Sequence, residues 1–118
     1  MKMTQSVSPL LTKFFTERLI RQKNASPHTI ESYRDTFRLL LMHANKTLSI
    51  SPSKLMITDI SAAFVDGFLE HLENKRGITI RSRNLRLTAI RSFFQFIAYE
   101  LPDHSELIQQ VLAIPSKR

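Results

Sequence analysis

The chain contains no cysteine. Disulfide staples, thiol nucleophiles and cysteine-ligated zinc are therefore excluded. Glycine occurs only at Gly67 and Gly77, and no GxxxxGK[ST] or GxGxxG loop is present to cradle a phosphate. No apolar run approaches the roughly 18–20 residues that a bilayer-crossing helix needs. The N-terminal "MKMTQSVSPLLTKFF" has neither a long apolar stretch nor a small-residue cleavage site, so no leader is predicted. A cysteine-free chain without a leader fits a cytoplasmic protein with no membrane partner. The four histidines, His28, His43, His71 and His104, are scattered. No HExxH or other metal spacing joins them, so neither metal nor cofactor is expected. Asp66, Glu70 and Glu73 stand at helical spacing and read as a solvated face. No catalytic constellation emerges, and none is predicted for this chain.

The most telling absence is local. Residues 74–99 include Lys75, Arg76, Arg81, Arg83, Arg86 and Arg91 but no Asp or Glu. The net charge of all 118 residues is +7, with a pI of about 10.3, so the rest of the chain is close to neutral. Charge gathered this way predicts an anionic partner, with a phosphate-binding face favoured over a merely solvated arginine surface. Length and a 42% hydrophobic content suit one ordinary globular domain.

Sustained alternation of apolar and polar residues is missing, whereas helical spacing recurs, so an all-α fold is predicted. A first helix spans about 9–22, with Pro9 in its first turn and Leu10, Leu11, Phe14, Phe15 and Leu19 along a stripe broken by Arg18. A second begins with Ser26 as N-cap and Pro27 as its first residue. It carries Ile30, Tyr33, Phe37, Leu40, Leu41 and Ala44 on one side and fades near Asn45. A third follows "ITDIS", capped by Asp59 or Ser61, and stops at Gly77 after Lys75 and Arg76. A fourth begins after Thr79 and runs to about 100, where Pro102 blocks it. Its seam is Leu87, Ile90, Phe94 and Ile97, widened by Phe93. A short fifth helix covers 105–112, and "AIPSKR" reads as an exit segment.

At about 100° per residue, Arg81, Asn84, Thr88, Arg91 and Gln95 share one arc of the fourth helix. These side-chain types hydrogen-bond base edges and phosphates. Arg83 and Arg86 project nearer the apolar side. Arg83 is retained as a phosphate candidate near the helix start, while Arg86 is expected to lay its stem along a neighbouring helix. At the start of the second helix, His28, Thr29 and Ser32 lie off the apolar seam, where free N–H groups favour phosphate. Capping duty alone would also explain Ser26 and Thr29. The candidate DNA-binding residues are thus His28, Thr29, Ser32, Arg81, Arg83, Asn84, Thr88 and Arg91.

"SPHTIESYRDTFRLLL", then "ITDISAAFVDGFLEHLENKRGITIRSRNLRLTAIRSFFQFIA", then "VLAIPSKR" together resemble the N-terminal core-binding domain of tyrosine recombinases, the phage-integrase family. Thr29 and Tyr33 match that family's Thr-x-x-x-Tyr pattern. The resemblance covers nearly the whole chain in order and spacing, although no single motif is decisive. It implies a SAM-like orthogonal bundle of four to five helices over residues 1–113. Residues 114–118 would start a linker to a catalytic domain. It further implies that the second and fourth helices approach double-stranded DNA, and that protomers meet in a synaptic tetramer. The family's His-x-x-Arg is missing, because no histidine here has Arg three residues on. The resemblance therefore implies a chain that binds DNA, while cleavage by a tyrosine nucleophile, without cofactor, belongs to the catalytic domain of the parent. Two other readings of the same residues are a stand-alone helical DNA-binding regulator and a helical bundle that docks an acidic protein.

Overall fold

The computed structural model describes residues 5–118. The part of the leader reading that concerns residues 1–4 lies outside them. The described residues form five α-helices, with short 3₁₀ turns and no strand, as the spacing predicts. They fall into two compact units, one ending at Asp59 and the other running Ile60–Arg118.

In the first unit, α1 (Val7–Lys13) continues without a break as a π-helix, Phe14–Gln22. The predicted extent is right to within two residues, but its second half is wound wider than an α-helix. The Lys23 N–H closes it on the Arg18 carbonyl at 2.9 Å, a five-residue step. The aromatic packing accompanies this winding. Phe14 stacks on Tyr33 with ring centroids 6.4 Å apart and meets Phe37 edge-on at 6.2 Å. Its sequence neighbour Phe15 also reaches Phe37, at 6.1 Å. A π turn holds more residues than an α turn, so adjacent side chains lie closer in angle and both can address one ring. Arg34 lies over the Phe15 face at 6.0 Å, a cation–π contact.

α2 (Pro27–Leu48) starts where expected, with the Thr29 N–H donating to Ser26 Oγ at 3.1 Å. It outlasts its apolar pattern by a turn, and Ser49 ends it in the left-handed conformation at φ 56°. Phe37, Leu40 and Ala44 are buried along it. The stretch after α2 contains 3₁₀ turns at Pro52–Lys54 and Ile57–Asp59. Among the described residues one antiparallel bridge pairs Ser6 with Met56. The Asp59 carboxylate accepts from the Met56 N–H at 2.8 Å, so it closes its own turn and leaves the next cap to Ser61.

The second unit holds α3 (Ala62–Lys75), α4 (Ile80–Glu100) and α5 (Ser105–Leu112), each packed on the other two. Ser61 Oγ accepts from the Phe64 N–H and Thr79 Oγ1 from the Ser82 N–H, at 3.1 and 3.0 Å. Val65, Phe68, Leu69 and Leu72 on α3 are buried. So are Leu87, Ile90, Phe93, Phe94 and Ile97 on α4, the predicted seam, joined by Ala89 and Phe96. On α5, Ile108 and Val111 are buried, and Ile114 beyond it is 4% exposed.

Gly77 turns the chain between α3 and α4 at φ 67°, a region where a Cβ is disfavoured. A Cβ there would meet nothing within 4 Å, so the only obstacle to alanine is backbone strain. Gly77→Ala is expected to lower unfolding free energy by about 1–2 kcal/mol. In urea titration the midpoint should fall with an unchanged m-value; a midpoint equal to that of the parent would contradict this.

Candidate nucleic-acid interface

α4 has two polar sides with different environments. On the outer arc, Arg81, Thr88 and Gln95 are exposed, together with Leu85 and Tyr99. The Arg81 guanidinium has no hydrogen bond or ion pair with another described residue. Thr88 Oγ1 donates back to the Asn84 carbonyl at 3.0 Å, which leaves its methyl and its lone pairs outward. Leu85 is 56% exposed and Tyr99 79%, so this arc is not purely polar. Nothing on it is acidic.

Along the flank of α4 lies an extended strap, residues 114–117. Asn84 grips it at two points. Its Nδ2 donates to the Lys117 carbonyl at 2.7 Å, and its Oδ1 accepts from the Lys117 N–H at 3.0 Å. A side-chain carboxamide thus pairs with a peptide unit as a strand would. Arg91 donates through Nη2 to the Ile114 carbonyl and through Nη1 to Ser116 Oγ at 3.4 Å. Arg83 donates through Nη1 to the Pro115 carbonyl and to Asn84 Oδ1, both at 3.0 Å. The carbonyls of Ile114, Pro115 and Lys117 are therefore all taken by α4.

Arg83 is 5% exposed, matching its placement nearer the apolar side. Its Nε lies 3.6 Å from Glu73 Oε1, and the same oxygen accepts from Lys117 Nζ at 3.0 Å. Glu73 is consequently half-buried and engaged rather than part of a solvated face. The error has a clear source, because its partners lie ten and forty-four residues away and no local pattern announces them. A hollow of about 370 Å³ beside this group is lined by Asp66, Glu70, Glu73, Arg83 and Lys117, among others. Its carboxylates would repel phosphate, which leaves the outer arc as the favourable approach to α4.

The other candidates belong to the first unit. His28 is exposed at the second position of α2. Thr29 is half-buried, and its hydroxyl oxygen accepts from Ser26 Oγ at 3.0 Å, so both hydroxyls serve the cap. Ser32 is half-buried, and its carbonyl accepts from Thr36 Oγ1 at 3.1 Å. Of the eight candidates, the structure gathers Arg83, Asn84 and Arg91 around the strap, and sets Arg81 and Thr88 on the outer arc. Among the described residues no three His, Cys, Asp or Glu side chains cluster to hold a metal, and no helix is long and apolar enough to cross a membrane.

Residues 13–100 match the family described as phage integrase, N-terminal SAM-like domain, and the chain belongs to that family. Its all-α architecture agrees. Over 113 residues it is 58% identical to "Putative integrase/recombinase y4rC" of Sinorhizobium fredii, covering 96% of this chain and 34% of that protein. Over 112 residues it is 43% identical to "Putative integrase/recombinase y4rD" of the same organism, covering 95% of this chain and 40% of the relative. The chain thus spans between a third and two fifths of the length of these relatives. No solved structure matches it.

The two arginines at the start of α4 are expected to behave oppositely. Arg83→Ala would take the donor from the Pro115 carbonyl and leave Glu73 to Lys117 alone, and should cost about 2–3 kcal/mol of stability. Arg81→Ala should stay within about 0.5 kcal/mol of the parent. Parallel urea denaturations followed by circular dichroism measure both, and equal losses would remove the distinction.

Proposed function

We propose that this chain is the DNA-gripping core-binding domain of a tyrosine recombinase, with residues 1–113 forming the domain and 114–118 starting the linker to a catalytic domain. The carrying observation is α4 itself. An outer arc free of acid, with Arg81 exposed and unpaired, sits on a chain whose family is phage integrase. Arg81, Thr88 and Gln95 would address phosphates and base edges of double-stranded DNA. The exposed Leu85 offers an apolar contact of the kind that recognises a thymine methyl. At the start of α2, His28 is the residue freest to reach a phosphate, while Thr29 and Ser32 contribute through the helix N-terminus that they help to shape.

In this reading the chain binds DNA and cleaves nothing. Strand exchange through a phosphotyrosyl bond belongs to the parent's catalytic domain and needs neither metal nor cofactor. Other protomers, joined on DNA in a synaptic tetramer, are the remaining partners, and the place of action is the cytoplasm. The names of the relatives, integrase/recombinase, support this class of parent.

Fluorescence anisotropy on a random duplex tests the reading. Affinity should fall steeply with salt, as several cation–phosphate contacts release counterions. Arg81→Ala should weaken binding by about threefold to tenfold and lower the salt slope by about one, with helicity intact. Absence of duplex binding at low salt would favour instead a bundle that docks an acidic protein.

A further inference from the structure

α4 holds its cations in two conditions, and the difference carries an inference. Arg83 is matched by a carboxylate, Glu73, and by a carbonyl. Among the described residues Arg91 is matched by the Ile114 carbonyl and the Ser116 hydroxyl alone. Its Nε, like that of Arg83, is buried with no hydrogen-bond partner among the described residues, but Arg83 Nε has the Glu73 carboxylate 3.6 Å away and Arg91 Nε has none. Arg91 therefore keeps its charge unneutralised and a donor unused. Asn84 is neutral and spends both ends of its carboxamide on the Lys117 peptide unit. We propose that the strap, residues 114–117, and a DNA phosphate are alternative occupants of Arg91 and Asn84, so that the strap is a latch whose release enlarges the DNA-contacting surface of α4. This inference rests on the DNA-binding reading above.

The chemistry favours exchange. A carbonyl oxygen and a phosphate oxygen cannot accept the same N–H along one line. The phosphate is charged and takes two parallel guanidinium donors at once, which would bring the idle Nε of Arg91 into use. Arg83 does not exchange, because leaving Glu73 would strand a half-buried carboxylate. The latch is also shallow. Ile114 is buried at its root, whereas Pro115, Ser116 and Lys117 are exposed. Asn84 can thus part from the exposed Lys117, and Arg91 is released when the Ile114 carbonyl turns away, which the buried Ile114 side chain does not itself prevent.

Two substitutions in the strap, neither on α4, separate latch from charge. Lys117→Pro removes the N–H that Asn84 Oδ1 accepts; Lys117→Ala keeps it. Both lose the ammonium and its bond to Glu73. The side-chain NMR signals of Asn84 and Arg91 report the latch, and anisotropy on a random duplex at one salt concentration reports binding. Lys117→Pro should shift both signals away from their positions in Lys117→Ala and bind duplex about threefold to tenfold more tightly, the worth of an added phosphate contact. If the signals shift but affinity is equal or weaker, strap and phosphate do not compete and the proposal fails alone. If the signals do not move, Asn84 is not what holds the strap, and the proposal fails at its first step. If neither variant nor the parent binds duplex, the DNA-binding reading falls and takes the proposal with it.

Discussion

A guanidinium taken out of water must be met by oxygen, and around Arg83 the second unit is arranged to meet it. Burial is tolerable because Glu73 comes from α3, Asn84 Oδ1 from the next residue of α4, and the Pro115 carbonyl from the strap. One cation thereby ties together two helices and a segment that no hydrophobic seam reaches beyond Ile114. Asn84 and Lys117 extend the same network outward, since both touch groups that already touch Arg83. Taking away the central charge would leave the Pro115 carbonyl without its donor and Glu73 with Lys117 alone, and coupled polar groups lose more together than their pairwise contacts suggest.

The same helix separates structural from functional charge. Its buried flank uses arginine as a hydrogen-bond fork for main-chain carbonyls, a task that lysine's compact ammonium performs poorly. Its outer arc leaves Arg81 in solvent, where long-range attraction to a polyanion costs nothing in desolvation. The one acidic residue of α4, Glu100, stands at its C-terminal end, so no carboxylate of the helix lies beside Arg81 on the outer arc.

Much of this was legible before any coordinates. Helix starts were the clearest, because Ser26, Ser61 and Thr79 are caps with a local mechanism, and Gly77 is a stop for an equally local reason. The seam of α4 followed from periodicity, and the inward lean of Arg83 from its angle on the wheel. Other features depended on partners distant in sequence. The π winding accompanies a shared contact of Phe14 and Phe15 with Phe37, which no spacing rule encodes. Asn84 and Arg91 looked outward-facing because their arc is polar. What a polar arc meets is decided by chain 23 to 33 residues later, and "AIPSKR" carries no visible mark of being a strap. Family membership reached further than periodicity, since it concerns an ordered set of residues rather than any one contact.

The strap is recognised almost wholly by its backbone. Carbonyls at 114, 115 and 117 and the amide at 117 are the groups α4 holds, to which Ser116 adds one hydroxyl and Lys117 its ammonium on Glu73. Side-chain identity at 115 and 116 is therefore weakly constrained, while the path of the chain is strongly constrained. Evolution can rewrite the text of this segment without moving it. The direction in which the polypeptide departs from α5 is in that sense a property of α4, inherited with Asn84 and Arg91 rather than with the segment itself.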